Sequence, residues 1–325
     1  MAVIDQVIQD QFSIYNGDSA EVLQDIRDDS IHHVIYSPPF ASMYGSSLYQ
    51  YSSNPRDVSN CEDYDTFFKH YEYIVTEIYR IMLPGRICAV HCMDVPNRYS
   101  TDIEYTDFPG DIIRLHQRLG FKYKGRHCIW KEPLGVRLRT MAKHLAHKTI
   151  VDDSTLSGPA CADYLLLLQK KGDNPIPVSH PNGFTYYVGD DPPKKELEVY
   201  IGYEGKQTEN LYSHQVWQRY ASAFWKDSRT TRVLDYKPGK ESEDERHIHP
   251  LQLDVIERSI QLYTNPGEIV LSPFAGVGSE VYGAVINGRK GIGIELKSSY
   301  YKQMVRNMEH AVLHTRESET LSLFD

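Results

Sequence analysis

Leu271-Ser272-Pro273-Phe274-Ala275-Gly276-Val277-Gly278-Ser279 is the stretch on which the reading of this chain turns. Glu268 to Leu271 reads as a short apolar strand, and Gly278 to Ile286 carries a helical pattern closed by Gly288. A strand, a glycine turn and a helix make a cradle. Glycines lack a Cβ and let a ligand approach the backbone, while the helix N-terminus turns its unpaired N–H groups into the same space. Gly291 to Ile294 reads as the next strand, and Glu295 stands at its end, seventeen positions after Gly278. An acid in that place can take the two ribose hydroxyls of an adenosine.

Two kinds of cofactor suit such a cradle. A dinucleotide wants glycine at position 281 for packing beside its pyrophosphate, and Val281 occupies it. S-adenosylmethionine has no pyrophosphate and does not need that glycine, so the pattern leans to the sulfonium cofactor and leaves a nicotinamide dehydrogenase as the competing enzyme class.

Far upstream, Val34-Ile35-Tyr36 reads as a buried strand that ends in Ser37-Pro38-Pro39-Phe40. Two prolines fix φ twice and remove two backbone donors. A hydroxyl, stiff carbonyls and an aromatic ring remain, an edge suited to accepting hydrogen bonds from an NH2 group on a flat ring. A plain proline-rich loop after a strand would look the same on these four residues alone.

Between and around these stretches the chain alternates strand and helix. Phe12 to Tyr36 reads as strand, helix, strand, and Asp63 to Met82 as a helix with Phe67, Phe68, Tyr71, Ile74, Val75, Ile78 and Met82 on one stripe. Ile87 to His91 is a strand, Asp111 to Leu119 a helix, and Phe121 to Trp130 and Tyr164 to Leu168 further strands. Pro250 suits the first turn of a helix running to Tyr263, and a last helix runs from Ser298 to Val312. This rhythm predicts a parallel or mostly parallel sheet covered by helices. Ala41 to Cys61, with Tyr44, Tyr49, Tyr51 and Arg56, has no period and reads as a substrate-covering loop. Asn174 to Glu245 breaks the rhythm and is expected to be an insertion on the core. Its aromatic and basic second half, from Trp217 to Arg232, suits either stacking on nucleic acid or a small hydrophobic core or dimer surface. The expected division is therefore 1–172, 173–245 and 246–325.

Bulk properties narrow the classes. The net charge of −9 over 325 residues does not by itself suggest a nucleic-acid binder. Its distribution does: from Lys122 to Lys148 there are eight Lys or Arg against the one acid Glu132. A basic face on an acidic protein suits a phosphate backbone, although a solvated surface reads the same way. Five Cys without a CxxC pair argue against a disulfide framework. Cys88, His91 and Cys92 read as a buried strand rather than a metal site. No apolar run reaches the roughly 20 residues that span a bilayer, and the start of the chain has no basic, apolar leader, so a cytoplasmic protein is expected.

The two motifs together resemble the amino-methylating DNA methyltransferases, whose catalytic motif is Asp, Asn or Ser, then Pro-Pro and an aromatic residue, matched by Ser37-Pro38-Pro39-Phe40. Their cofactor motif, Asp-Pro-Phe-x-Gly-x-Gly, is matched from Ser272 to Gly278 except that Ser272 replaces the Asp. Ile294-Glu295-Leu296 resembles their ribose-binding acid, and Glu245 to Pro250 the segment before the final cofactor half. The catalytic motif precedes the cofactor motif, the order of the β class. The resemblance implies a permuted Rossmann-like methyltransferase fold with a mostly parallel seven-stranded sheet and helices on both faces. It implies transfer of the methyl group of S-adenosylmethionine to the exocyclic amino group of a flipped DNA base. Ser37 favours N4 of cytosine, and N6 of adenine is the alternative. Catalytic candidates are Ser37, Pro38, Pro39 and Phe40. Cofactor candidates are His249, Pro250, Ser272, Phe274, Gly276, Gly278, Ser279 and Glu295, with Asp18 standing in for the missing charge at Ser272. Candidates to face DNA are Arg126, Lys131, Arg137, Arg139, Lys143 and Lys148. The resemblance implies a homodimer and leaves a cognate restriction nuclease and a stand-alone enzyme as equal alternatives, and a DNA-binding protein without catalysis is the remaining reading.

Overall fold

A strand buried at every position belongs in the interior of a sheet, and His33–Tyr36 is such a strand. The computed structural model describes residues 3–39, 57–61, 63–97, 104–140, 142–239 and 250–322. Phe40, the Ala41 to Arg56 stretch and His249 lie outside the described residues, as do the side chains of Arg139 and of residues 314–322.

The first elements are β1 (Val3–Ile8), β2 (Phe12–Gly17), α1 (Ser19–Val22), β3 (His33–Tyr36), α2 (Tyr64–Ile81) and β4 (Ile87–Met93). A small hairpin, β5 (Val95–Asn97) and β6 (Glu104–Thr106), leads to α3 (Phe108–Arg118), β7 (Lys122–Ile129), α4 (Pro133–Thr140), α5 (His147–Asp153) and β8 (Asp163–Gln169). Then come α6 (Leu211–Tyr220), β9 (Phe224–Trp225), α7 (Leu253–Tyr263), β10 (Ile269–Ser272), α8 (Ser279–Ile286), β11 (Lys290–Glu295) and α9 (Ser298–Ser322).

The main sheet runs β1-β2-β11-β10-β3-β4-β8-β7-β9. Its inner seven strands, β2 to β7 in that order, are flanked by β1 and the two-residue β9, giving nine among the described residues rather than seven. Five neighbouring pairs are parallel and three antiparallel. β8 runs against both β4 and β7. Its run of leucines is buried in either direction, so the apolar pattern alone carries no sense of orientation.

Alternation along the strands sorts the core into two layers. Val34, Tyr36, Cys88, Val90, Cys92, Leu166 and Leu168 face α1, α2 and α3. Ile35, Ala89, Ile129, Leu165 and Leu167 face α7 and Trp225. Phe12 and Ile14 extend this second layer under α8 and α9. α2 buries the stripe Phe67, Tyr71, Ile74, Val75, Ile78 and Ile81 and is capped by Asp63, which accepts from Thr66 N (2.7 Å) and Thr66 Oγ1 (2.9 Å).

α7 begins at Leu253, with Gln252 in the N-cap position, so Pro250 precedes the helix rather than opening it. Leu253 to Gln261 is buried throughout, Asp254, Glu257 and Arg258 included, because the chain from Val188 to Arg232 covers its outer side. The charges survive burial by pairing: Arg258 lies on Asp227 (2.8 and 2.9 Å), while Arg229 and Arg232 meet Asp254 at 2.8 Å. Much of the aromatic and basic run from Trp217 to Arg232 is therefore core: Tyr220 and Trp225 are fully buried, and Trp217 and Phe224 stay exposed. No helix among the described residues is long and apolar enough to cross a membrane.

Candidate active site

β10 and β3 are parallel neighbours, with Val270 beside His33 and Leu271 beside Val34. Counting on from the second pair puts Ser37 beside Phe274, so the two distant motifs leave the sheet together. The chain turns to opposite sides here: β3 leads by α2 to β4, and β10 leads by α8 to β11. This is the switch point of an open sheet, where the carboxyl ends of the strands open a crevice.

The turn from β10 to α8 is built by glycine geometry. Gly276 (φ 53°) and Gly278 (φ 91°) adopt the left-handed region, and Gly278 is the N-cap of α8. A Cβ on Gly278 would lie 2.7 Å from Met304 Cγ. Glu295 is buried, and its two carboxylate oxygens accept from Gly276 N (2.9 Å) and Lys297 N (2.8 Å). Burial pushes its carboxyl up to about 7 against the pull of those amides. Burial likewise raises Glu280, in the first turn of α8, to about 8, and the charge of Glu295 adds to it. Ser272 Oγ and Ser279 Oγ are buried without a hydrogen-bond partner, and orphaned hydroxyls beside a glycine turn suit a polar ligand. Asp18 caps α1, accepting from Ala20 N at 2.9 Å, and the neighbouring Ser19 Oγ donates to Pro273 O, which holds Asp18 against the cradle. Asn16 fastens the same corner by donating to Glu295 O (2.8 Å). Phe274 packs its ring 5.7 Å from that of Tyr36 and 6.5 Å from that of Tyr71, a core contact. Next to Pro250, Leu251 belongs to the apolar cluster that holds Val277.

The Ser37 turn is bonded to residues that the motif does not reveal. Ser37 Oγ lies 2.9 Å from His91 Nδ1, and His91 Nε2 lies 3.0 Å from Asp163 Oδ2. Lys131 Nζ forms an ion pair with the same carboxylate. Burial pushes the Asp163 carboxyl up, but His91 and Lys131 outweigh it and hold the group at about 2. Pro38 is buried and Pro39 half-buried. Behind them, Tyr36 Oη and Tyr71 Oη share a hydrogen bond of 2.5 Å.

Of the residues expected to face DNA, Lys131 departs: its side chain is 14 % exposed and committed to Asp163. Arg126 is exposed, with its guanidinium 4.7 Å over the ring of Tyr164. Lys143 and Lys148 are exposed, and Arg137 is half-buried on α4. His127 and His144 turn inward, His127 stacked on Trp225 at 4.2 Å and His144 bonded to Tyr105 Oη at 3.0 Å. Cys88 and Cys92 face the layer opposite His91. No cluster of three or more His, Cys, Asp or Glu among the described residues is placed to hold a metal ion.

A glycine cradle with a strand-end acid lies side by side with a Ser-Pro-Pro turn in the crevice of an open α/β sheet, the architecture of the doubly wound α/β class. A family model described as DNA methylase matches residues 31–306, and the chain belongs to that family. Among relatives, the Type II methyltransferase M.BamHI of Bacillus amyloliquefaciens is 24% identical over 307 residues, 91% of this chain and 57% of that protein. The DNA adenine methyltransferase YhdJ of Escherichia coli K12 is 38% identical over 87 residues, 26% of this chain and 30% of that protein. The chain thus spans less than two thirds of either relative. Among solved structures, the PvuII cytosine-N4-specific DNA methyltransferase superposes with a TM-score of 0.59 at 15% identity, covering 91% of this chain and 86% of that one. A DNA modification methylase of Thermus thermophilus, TTHA0409, complexed with S-adenosyl-L-methionine, does so with a TM-score of 0.59 at 19% identity, covering 91% and 92%.

Proposed function

We propose that this protein transfers the methyl group of S-adenosylmethionine to the exocyclic amino group of a base flipped out of DNA, with N4 of cytosine as the target. The observation that carries the reading is the parallel pairing of β3 with β10, which sets an acceptor edge, Ser37 and Pro38, beside a cradle for an adenosine cofactor. S-adenosylmethionine supplies a methyl group on an electron-poor sulfonium. The residues to hold it are Glu295 for the ribose hydroxyls, the Gly276 to Gly278 turn for close approach, and Ser272, Ser279 and Asp18 for its polar end. Ser272 has no charge to offer the cofactor's ammonium, and Asp18, fastened to the same corner, can supply it.

The amino group of a base is a weak nucleophile because its lone pair is delocalised into the ring. Ser37 Oγ and the Pro38 carbonyl accept its two N–H bonds and draw the nitrogen toward a tetrahedral shape. The freed lone pair then faces the methyl group. Catalysis is placement of acceptors, with no covalent intermediate. Ser37 as the first motif residue favours cytosine; N6 of adenine uses the same edge and is the alternative. DNA lies along Arg126, Arg137, Lys143 and Lys148. Target recognition belongs to 173–245, between the catalytic part, 1–172, and the cofactor part, 246–325; exposed Trp217 and Phe224 offer aromatic surface there. A stand-alone enzyme and one paired with a nuclease of the same site fit this reading equally, and a second copy of the chain is a candidate partner.

Transfer of labelled methyl from S-adenosylmethionine to DNA, RNA or protein tests the proposal. Ser37→Ala is expected to lower the rate on DNA by about a hundredfold or more with cofactor affinity unchanged. Label in RNA or protein but not DNA refutes it.

A further inference from the structure

Ser37, His91, Asp163 and Lys131 lie on or just past the ends of four strands that adjoin in the order β3, β4, β8, β7. Register explains why they meet. Tyr36 pairs with Val90, so the next positions, Ser37 and His91, lie side by side. Asp163 stands opposite Met93 on β4 and Ile129 on β7, so it shares a sheet face with His91 on one side and with Lys131 on the other. All four project from the layer that contains Ile35, Ala89, Leu165 and Ile129, at the end of the sheet where the crevice opens.

The polarity of this chain of contacts follows from its buried end. The Asp163 side chain is 3% exposed, and its carboxylate is flanked by Lys131 as well as His91. An ionised carboxylate only accepts, so His91 donates from Nε2. A neutral imidazole with its proton on Nε2 has a lone pair on Nδ1, and Ser37 therefore donates its hydroxyl proton to Nδ1. Both lone pairs of Ser37 Oγ are then left for the crevice. A free serine hydroxyl has no fixed polarity, since it rotates to donate or to accept.

We propose that His91, oriented by Asp163, is a positioning residue that fixes the Ser37 hydroxyl as a hydrogen-bond acceptor for the substrate amino group and takes the proton that methyl transfer releases. The proposal rests on the methyl-transfer reading above. As the N–CH3 bond forms and the C–S bond of the cofactor breaks, the sulfonium becomes a neutral thioether and the nitrogen gains the positive charge. One N–H proton passes to Ser37 Oγ while the Ser37 proton passes to His91 Nδ1. Serine ends neutral, the methylated amine ends neutral, and the imidazolium faces Asp163 until it loses its proton to water. The orienting role of the carboxylate is that of the acid in a Ser-His-Asp triad, but the serine here never attacks.

A protonated His91 would reverse the polarity: Nδ1 then donates to Ser37, whose own hydroxyl proton turns toward the base and meets an N–H. Among the described residues, the polar groups bonded to His91 are Ser37 after β3 and Asp163 on β8, with Lys131 paired to the same carboxylate.

The test separates kcat from KM for methyl transfer to DNA in wild type, His91→Ala, His91→Ala with added imidazole, and Asp163→Asn, beside titration of each with S-adenosylmethionine. His91→Ala should lose about a hundredfold in kcat with KM nearly unchanged, and added imidazole should restore part of the loss. Asp163→Asn leaves the ring without its orienting carboxylate and should lower kcat by about tenfold or more. Unchanged cofactor affinity separates these effects from a damaged fold. If His91→Ala does not fold, the isosteric Asp163→Asn decides by the same loss of kcat. An unchanged kcat in either variant overturns the proposal while Ser37→Ala still reports on the reading beneath it. A wild type that transfers no methyl to DNA overturns both.

Discussion

Glu295 makes two opposite pH dependences follow from one side chain. Its folded carboxyl sits at about 7, against an ordinary value of 4.5. That difference corresponds to roughly 3 kcal/mol for charging it in the empty cradle. The folded state holds this proton more tightly than the unfolded chain, so its contribution to stability is fully present below pH 4.5 and is lost as pH rises through 7. Cofactor binding runs the other way, because ribose hydroxyls donate to the ionised form. Affinity for S-adenosylmethionine should rise about tenfold per unit up to pH 7 and then level off. Glu295→Gln should flatten that rise and weaken binding at pH 8 by about tenfold to a hundredfold, the worth of hydrogen bonds to a charged group. The assay is calorimetric titration from pH 5.5 to 8.5, with thermal melts alongside. Glu280, held at about 8, titrates higher, and Glu280→Gln removes any step it adds. A Glu295→Gln protein that keeps the wild-type rise toward pH 7 would refute the assignment of Glu295 to the ribose.

Two further substitutions probe other parts of the structure. Arg258→Met leaves Asp227 buried without its partner and should cost about 3–5 kcal/mol in denaturant unfolding, releasing the covering segment from α7; an unchanged midpoint would contradict that role. Arg126→Ala should reduce the salt dependence of DNA binding by about one unit of slope without changing cofactor affinity, and an unaltered slope would remove Arg126 from the interface.

How far the fold is legible in the sequence depends on how local its causes are. β3 and β10 can be read because short apolar runs ended by Pro or Gly turns have few alternatives, and α2 because its stripe is uninterrupted. β1 cannot: Val3–Ile8 is an edge strand with mostly exposed side chains, so nothing enforces alternation. β9 is two residues long, and pairing rather than propensity makes it a strand. The interior charges of α7 look like a solvent face because their partners, Asp227, Arg229 and Arg232, lie in a segment with no period of its own.

The site divides in the same way. Ser37, Gly276, Gly278 and Glu295 are visible because their chemistry is written in contiguous residues. His91 and Asp163 are not, because their relation to Ser37 exists only in the register of three strands. Lys131 misleads for the same reason: a lysine in a basic run counts as surface until the buried acid beside it is known.

The central claim is tested most directly by mass spectrometry of nucleosides from DNA incubated with the protein and S-adenosylmethionine, with Ser37→Ala in parallel. The account predicts N4-methylcytosine from wild type and its near-complete loss in the variant. N6-methyladenine would contradict the choice of base and leave the mechanism standing; no methylated nucleoside from DNA of varied sequence, with the cofactor tightly bound, would contradict the account itself.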